Sequence, residues 1–280
     1  MYILRETEGL IFFDKAQFVE MTLRQLWALE NPHAFRHALE YTTFSACRYQ
    51  ALASLRAIVG LGAKVNCFRN KEGRETPLHT ALHGPVKMEG KESMCVTIPL
   101  TLMGSFDMDE FIAAASSRRQ DLELLTLLLD LGVPVNAADQ HGVTALHIAV
   151  QKGSLEAVEL LLSRGASVKA RTTGRLGGMT PLHVACDSGK AEIASLLLAH
   201  GADCSSTDAK GHTPLYLALQ EQLRGVALKM LRLGVSAVDA WRSAASEHKV
   251  GLTCVANAGR FLFVEGMSMG RATNLGWHEA

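Results

Sequence analysis

One four-residue phrase recurs four times along the chain, and each copy begins with threonine. The copies are Thr76-Pro77-Leu78-His79, Thr144-Ala145-Leu146-His147, Thr180-Pro181-Leu182-His183 and Thr213-Pro214-Leu215-Tyr216. The last two intervals between threonines are nearly equal, and the first interval is about twice as long. A period of roughly 33 residues predicts stacked two-helix units, none of which can bury its apolar faces alone.

The residues that follow each threonine specify two short helices. In the unit that begins at Thr144, Gly153 separates the helices and Gly165 ends the second one. A threonine hydroxyl at a helix start accepts a backbone N–H, and a glycine adopts the left-handed conformation that ends a helix. The interval from threonine to closing glycine is identical in the last three units, which close at Gly165, Gly201 and Gly234. This equality predicts one structural repeat used several times.

The recurrent unit resembles the ankyrin repeat. The residues that carry the resemblance are Gly178-Met179-Thr180-Pro181-Leu182-His183, Gly189, Leu196-Leu197-Leu198 and Gly201-Ala202-Asp203, with further pieces at Gly62–Asn66 and Gly132–Asn136. The resemblance covers roughly residues 42–240 and implies an all-α solenoid of five or six helix pairs with finger-like turns. It also implies a non-catalytic module that binds another protein through the fingers and the concave face beside them.

The unit that begins at Thr76 is longer than the others, because its closing Gly132 lies much further from the threonine than in any later unit. The extra length predicts either an insertion after the first helix or a degenerate repeat over residues 76–110. We favour two repeats, because counting back one period from Thr144 places a worn first helix at Phe111–Ala115, before the leucines of Leu122–Leu129.

A proline bears on the same stretch. Pro99 falls where the degenerate repeat needs its second helix, and proline disrupts a helix interior. We therefore expect residues 84–107 to form a loop with at most short helical pieces.

Both ends of the array are expected to differ from its middle. We expect residues 1–41 to form an N-terminal helical cap. We expect the first, degenerate repeat to begin near Thr42 and to have its second helix over Leu52–Leu61. Residues 241–280 predict a C-terminal cap, with a short helix at Trp241–Lys249, followed by an irregular tail.

The N-terminal segment carries a second resemblance. Residues Arg24–Leu39 are similar to the end of an F-box and its linker in fungal F-box–ankyrin proteins, although the leading Leu-Pro-x-Glu part is missing. This resemblance implies an alternative function as the substrate adaptor of a ubiquitin ligase, in which the N-terminal helices dock the ligase.

No pattern of catalytic residues accompanies the repeats. The chain lacks a Gly-x-Ser-x-Gly elbow, a phosphate-binding Gly-x-x-x-x-Gly-Lys loop and a His-Glu-x-x-His pair. The recurrent His79, His147 and His183 lie about 10 Å apart if the helices stack, too far to share one metal ion. We therefore expect each to bond its own threonine and nearby backbone, and we expect neither an enzyme nor a cofactor.

Composition limits the choice of partner and compartment. The 28 basic and 28 acidic residues balance, so neither nucleic acid nor an anionic membrane is an expected partner.

The sequence has no uninterrupted apolar window long enough to cross a membrane and no secretory pattern in Met1–Phe13. The cysteines, which include Cys47, Cys67, Cys95 and Cys186, are expected to be reduced and buried. We expect an intracellular monomer, in the cytoplasm or the nucleus.

Two of the predicted fingers are longer than the interval from Val135 to Thr144, and both are basic. The candidate partner-binding residues are Arg69, Lys71 and Arg74 on the first, Lys169, Arg171 and Arg175 on the second, and Lys210 on the finger after it. Such fingers suit a partner with an acidic surface. They are equally consistent with solvated loops that Glu72, Glu75 and Asp139 balance.

Overall fold

The computed structural model describes residue 11 and residues 16–28, 32–65, 74–83, 118–173 and 177–235. Within these residues the regular structure is α-helical and contains no β-strand, so the predicted all-α class is confirmed. The chain divides into two compact units, residues 1–140 and 141–280.

The described part of the first unit contains five helices. They are α1 (Ala16–Ala28), α2 (Pro32–Arg48), α3 (Leu52–Gly60), α4 (Pro77–His83) and α5 (Arg118–Asp130). Helix α2 packs against α1, α3 and α4. The apolar centre of the unit includes Leu23, Leu55, Ile58, Leu78 and Leu128, all fully buried. These residues bury the faces that no single helix can shelter.

Helix α2 continues through the position where a repeat was expected to begin. Thr42 is buried inside this helix, and its hydroxyl donates to the carbonyl oxygen of Ala38 at 2.8 Å. The expected repeat start near Thr42 therefore does not coincide with a helix start. Helix α3 matches the predicted second helix, and the division of the chain at residues 41 and 42 stays a prediction.

The described part of the second unit contains six helices. They are α6 (Ala145–Lys152), α7 (Leu155–Ser163), α8 (Pro181–Asp187), α9 (Ala191–Ala199), α10 (Pro214–Gln220) and α11 (Arg224–Arg232). They pack as three pairs, α6 with α7, α8 with α9 and α10 with α11. First helices contact first helices of the next pair, and second helices contact second helices. The predicted stacking of helix pairs is therefore confirmed for this unit.

The predicted helix boundaries in the second unit are also confirmed. The hydroxyl oxygens of Thr180 and Thr213 accept the backbone N–H three residues later, at 3.4 and 3.2 Å. The closing glycines have positive φ, and the values are +82° for Gly165, +76° for Gly201 and +87° for Gly234. The constant interval from threonine to glycine thus corresponds to one helix pair.

The pairing of α4 with α5 bears on the long interval after Thr76. Helix α4 packs directly on α5, as α6 packs on α7, and α3 contacts α5 as α7 contacts α9. These contacts are those of two neighbouring helices in a repeat array, and the choice between an insertion and a degenerate repeat over residues 76–110 stays a prediction. The expected loop over 84–107, Pro99 and the expected helix at Phe111–Ala115 lie outside the described residues.

The last expectations concern the buried cysteines and the helix after the repeats. The thiols of Cys47 and Cys186 are buried, as predicted, and burial raises the pKa of Cys186. Cys67, Cys95 and the expected helix at Trp241–Lys249 lie outside the described residues.

Candidate functional site

Each recurrent histidine folds back onto the threonine three residues before it. The distances from Nδ1 to the threonine Oγ1 are 2.7 Å for Thr76–His79, 2.9 Å for Thr144–His147 and 2.8 Å for Thr180–His183. The threonine backbone N–H also donates to the same Nδ1 at 3.4, 3.2 and 3.2 Å. Because an N–H can only donate, Nδ1 accepts and carries no proton.

The other ring nitrogen reaches the next repeat. Nε2 of His147 lies 3.3 Å from the carbonyl oxygen of Met179, and Nε2 of His183 lies 3.2 Å from that of His212. Met179 and His212 each immediately precede the capping threonine of the following repeat. Since a carbonyl oxygen only accepts, Nε2 holds the proton and donates it, which fixes a neutral imidazole.

We call these bonds, from Thr144 and Thr180 through their histidines to Met179 and His212, the histidine ladder. The ladder joins successive repeats of the second unit. Burial lowers the pKa of His183, in agreement with a neutral ring that spends both nitrogens on hydrogen bonds. The predicted structural role of the recurrent histidines is confirmed. Among the described residues, no group of three or more metal-binding side chains is gathered.

The two fingers that follow share one design at their base. In the last finger, Oδ1 of Asp208 accepts the backbone N–H of His212 at 2.8 Å, and the N–H of Asp208 donates to the carbonyl of His212 at 3.0 Å. In the longer finger, Thr172 takes the part of the aspartate. Its hydroxyl accepts the N–H of Met179 at 3.0 Å, and its own N–H donates back to Met179 at 3.0 Å. The ladder therefore attaches to two turns, each closed by a pair of hydrogen bonds.

Backbone bonds tie each finger of the second unit to the next. The N–H of Thr173 donates to the carbonyl of His141 at 2.6 Å, and the N–H of Ala209 donates to that of Gly177. We call the described residues of these fingers the finger edge; it consists of residues 141–142, 168–173, 177–179 and 203–212. Two sets of hydrogen bonds hold this strip. The histidine ladder joins it to the helices of the preceding repeats, and the backbone bonds join each finger to the next.

Arg171 strengthens the same connection. Its Nε donates to the carbonyl of Gly178 at 3.3 Å, and one terminal nitrogen donates to the carbonyl of Thr207 on the next finger. Arg171 was predicted as a partner contact from its charge and its place on a long finger. In the structure its guanidinium joins two fingers of the protein itself, and its contact with a partner stays a prediction.

The remaining predicted contacts are distributed as follows. Lys169 and Lys210 are exposed on the two adjacent fingers of the second unit, and Arg74 is exposed in the first unit. Arg69, Lys71 and Arg175 lie outside the described residues. Their role in binding stays a prediction.

An acidic residue faces the basic finger, and it differs from those that the sequence suggested. Hydrogen bonds from the hydroxyl and N–H of Ser205 hold the pKa of Asp203 below its ordinary value, and the charges of Lys169 and Arg171 act in the same direction. Part of the positive charge is thus compensated within the protein. The carboxylate belongs to the next repeat, and only the stacking of repeats brings it close.

The last finger also contains a buried polar cluster that the sequence did not reveal. Nδ1 of His212 lies 3.4 Å from Oδ2 of Asp208, and both side chains are almost fully buried. The ring of His212 stacks on Tyr216 with a centroid distance of 4.8 Å. Tyr216 stands where the earlier repeats have the ladder histidine. The tyrosine at this position therefore provides a stacking surface for the last finger.

Comparison with known proteins identifies the repeat. A family model described as ankyrin repeats (3 copies) matches residues 100–172 and 169–238. Ankyrin repeat and SOCS box protein 6 from Pongo abelii and from Homo sapiens are each 50% identical over 64 residues, which is 21% of this chain and 15% of those proteins. Putative ankyrin repeat protein FPV219 from Fowlpox virus (strain NVSL) is 30% identical over 121 residues, which is 43% of this chain and 26% of the viral protein.

The chain therefore contains ankyrin repeats, arranged as an all-α solenoid of stacked helix pairs. Ankyrin repeats are protein-interaction modules and are generally non-enzymatic. The chain spans about a quarter or less of the length of the curated relatives that it matches. In the part of the chain that the structure describes, no helix has the length and apolar character needed to cross a membrane.

Proposed function

We propose that this protein is a non-catalytic module that binds another protein, and that the finger edge forms part of the contact surface. The observation that carries the proposal is that the finger edge presents exposed residues on adjacent fingers while hydrogen bonds hold its backbone. The histidine ladder and the bonds between fingers order its backbone before any partner arrives. Association then loses little conformational entropy in this strip, which favours binding.

The charged residues of the finger edge indicate which charged groups a partner would present. Lys169 and Lys210 are exposed on adjacent fingers and present ammonium groups to solvent. Asp203 offsets some of this charge, so we propose that the partner contributes a small number of carboxylates rather than a large acidic surface. Charged groups at such a rim steer association and contribute selectivity. We propose an intracellular, monomeric protein, as the sequence led us to expect.

Charge reversal tests this surface. Partners are captured from cell extract on the parent protein, and the affinity of one purified partner is then measured for K169E and K210E. We expect each variant to weaken binding at least tenfold, with less effect in high salt. The matched control is K229E, which makes the same charge change on the exposed side of α11. Equal affinity of parent, K169E and K210E would remove the finger edge from the proposal.

Arg171 needs a separate experiment, because it bonds the protein's own carbonyls. R171K keeps the charge and loses the forked hydrogen bonding, whereas R171Q loses the charge. If both variants bind equally weakly, Arg171 acts by holding the two fingers together. If only R171Q binds weakly, its charge contacts the partner.

A second candidate function is the substrate adaptor of a ubiquitin ligase, docked through the N-terminal helices, as in the fungal F-box–ankyrin type. An adaptor needs a second binding module beside its repeats, and the name of ankyrin repeat and SOCS box protein 6 describes such a combination in that relative. Within this chain the candidate segment is α1 with the start of α2. Met21 on α1 has 51% of its surface exposed, which suits an apolar docking contact.

A point variant tests the adaptor proposal better than deletion of residues 1–41, because that deletion would cut through α2. Pull-down with a purified Skp1-type protein compares the parent with M21E and with the control R56E, a charge change at an exposed position on α3. Loss of capture in M21E alone would support docking through α1. Absence of capture by the parent would eliminate this function and leave the finger-edge proposal untouched.

A further inference from the structure

The last helix of the described residues differs from its counterparts on one side. Leu228 lies fifteen positions after its capping threonine, where the two preceding repeats have the exposed Glu159 and the half-buried Ser195. An apolar residue has thus replaced polar ones at a repeating position. Leu228 itself is half-buried.

A second leucine on the same side shows what this face does in the other repeats. Leu231 corresponds to Leu162 and Leu198, which are only 9% and 8% exposed. Those leucines lie on second helices that are followed by another second helix, since α7 contacts α9 and α9 contacts α11. Leu231 is half-buried instead, and α11 is the last helix of the described residues.

Leu228 and Leu231 are spaced i and i+3 and lie on one side of α11, and Val235 follows shortly after the helix ends at Arg232. We call this set the terminal stripe. Its apolar character exceeds what the same positions carry elsewhere in the unit. A stripe of this kind in a repeat array marks a face that packs against a further element.

We propose that the terminal stripe is an intramolecular docking surface and that residues 236–280 of the same chain occupy it, with Phe261–Val264 as the contact. The chain enters this segment directly from the stripe, because Val235 is one of its members. The run Phe261-Leu262-Phe263-Val264 is the longest stretch of large apolar residues in the segment.

Chain connection favours this occupant over a separate molecule. Residues 236–260 separate Val235 from Phe261, and a random coil of that length would span roughly 25–30 Å. That reach exceeds the ~10 Å between packed helices. Such tethering gives an effective concentration in the millimolar range. A second copy or a partner at micromolar concentration would have to compete with the tethered segment.

Hydrogen exchange of the full chain tests the proposal. We expect amides of residues 261–264 in the parent to exchange at least tenfold more slowly than in an unstructured peptide. L228E should restore fast exchange there. The matched control L233E makes the same substitution at a leucine that ends the same helix, is 64% exposed and lies about 200° around the helix from Leu231. L233E should leave the protection unchanged.

A tail variant keeps the test valid if L228E does not fold. The double variant F261S/F263S leaves the sequence of α11 intact, and it should raise the exchange rate of amides 228–235 at least tenfold.

Light scattering of the parent at several concentrations shows whether a second copy of the chain, rather than the tail, covers the terminal stripe. Fast exchange of 261–264 in the parent, an unchanged α11 in the tail variant, or protection that appears only with a doubled mass would each overturn the proposal.

Discussion

The imidazole Nε2 of His183 lies 3.2 Å from the carbonyl oxygen of His212, a residue that belongs to the following finger. The same ring accepts two bonds from Thr180 through Nδ1. One buried side chain therefore caps its own helix and joins it to the next repeat. Its removal should disturb two repeats together.

Replacement of His183 with alanine should lower the free energy of unfolding by about 2–4 kcal/mol, because buried groups that lose a hydrogen-bond partner cost about 1–3 kcal/mol each. Urea denaturation of H183A and the parent measures the difference. The control is H200A at an exposed position, which should stay within about 0.5 kcal/mol of the parent. Equal losses in the two variants would contradict the ladder.

The stability of the protein should fall on mild acidification through the same residue. Burial lowers the pKa of His183 below its ordinary value of 6.5, so the folded state binds fewer protons than the unfolded state. The contribution is complete above the unfolded pKa of about 6.5 and declines as pH falls toward the lower folded pKa. Urea midpoints measured between pH 7.5 and 5 should fall less steeply in H183Q. Parallel curves for parent and H183Q would refute this assignment.

Two glycine-to-alanine substitutions separate backbone strain from contact between fingers. Gly142 and Gly165 both have positive φ, +70° and +82°. A Cβ on Gly142 would lie 2.8 Å from the carbonyl oxygen of Arg171, whereas one on Gly165 meets nothing within 4 Å. G165A should cost about 1–2 kcal/mol from strain alone. G142A should cost a further ~1–3 kcal/mol from overpacking, measured by the same denaturation. Equal costs would mean that the fingers are not packed together.

Truncation of a buried leucine checks the packing of α7. Leu161 is fully buried, and L161A should lower the free energy of unfolding by about 2–5 kcal/mol through lost burial and a cavity. Its neighbour Leu160 is half-buried, and L160A should cost less. Thermal melting of both variants measures the two losses of stability. A parent-like melting temperature for L161A would show that this helix face is not in the core.

Much of the second unit was predictable because its determinants are local. A threonine caps the helix that it begins, and Gly165 ends a helix through its own φ, so residue spacing alone locates these boundaries. The role of His183 followed from the same logic, since its first bond partner is three residues away. The carbonyl of His212, its second partner, lies in the next repeat and depends on stacking.

The sequence was least informative where distant residues decide the structure. The pairing of α4 with α5 depends on contacts between residues on either side of a long interval, and no residue count distinguishes these from an extra repeat. Thr42 was taken as a repeat boundary, yet its hydroxyl bonds within α2. The bond from Arg171 to the carbonyl of Thr207 was not predictable, because the two residues are 36 positions apart in the chain.

The contact between α4 and α5 has a consequence for engineering the protein. Helix α4 ends at His83 and α5 begins at Arg118, and the two helices form one pair. The interval between them joins two points that the pair itself fixes. Because the contact between α4 and α5 fixes both ends of the interval, the separation between labels attached at His83 and Arg118 would report whether this helix pair stays assembled.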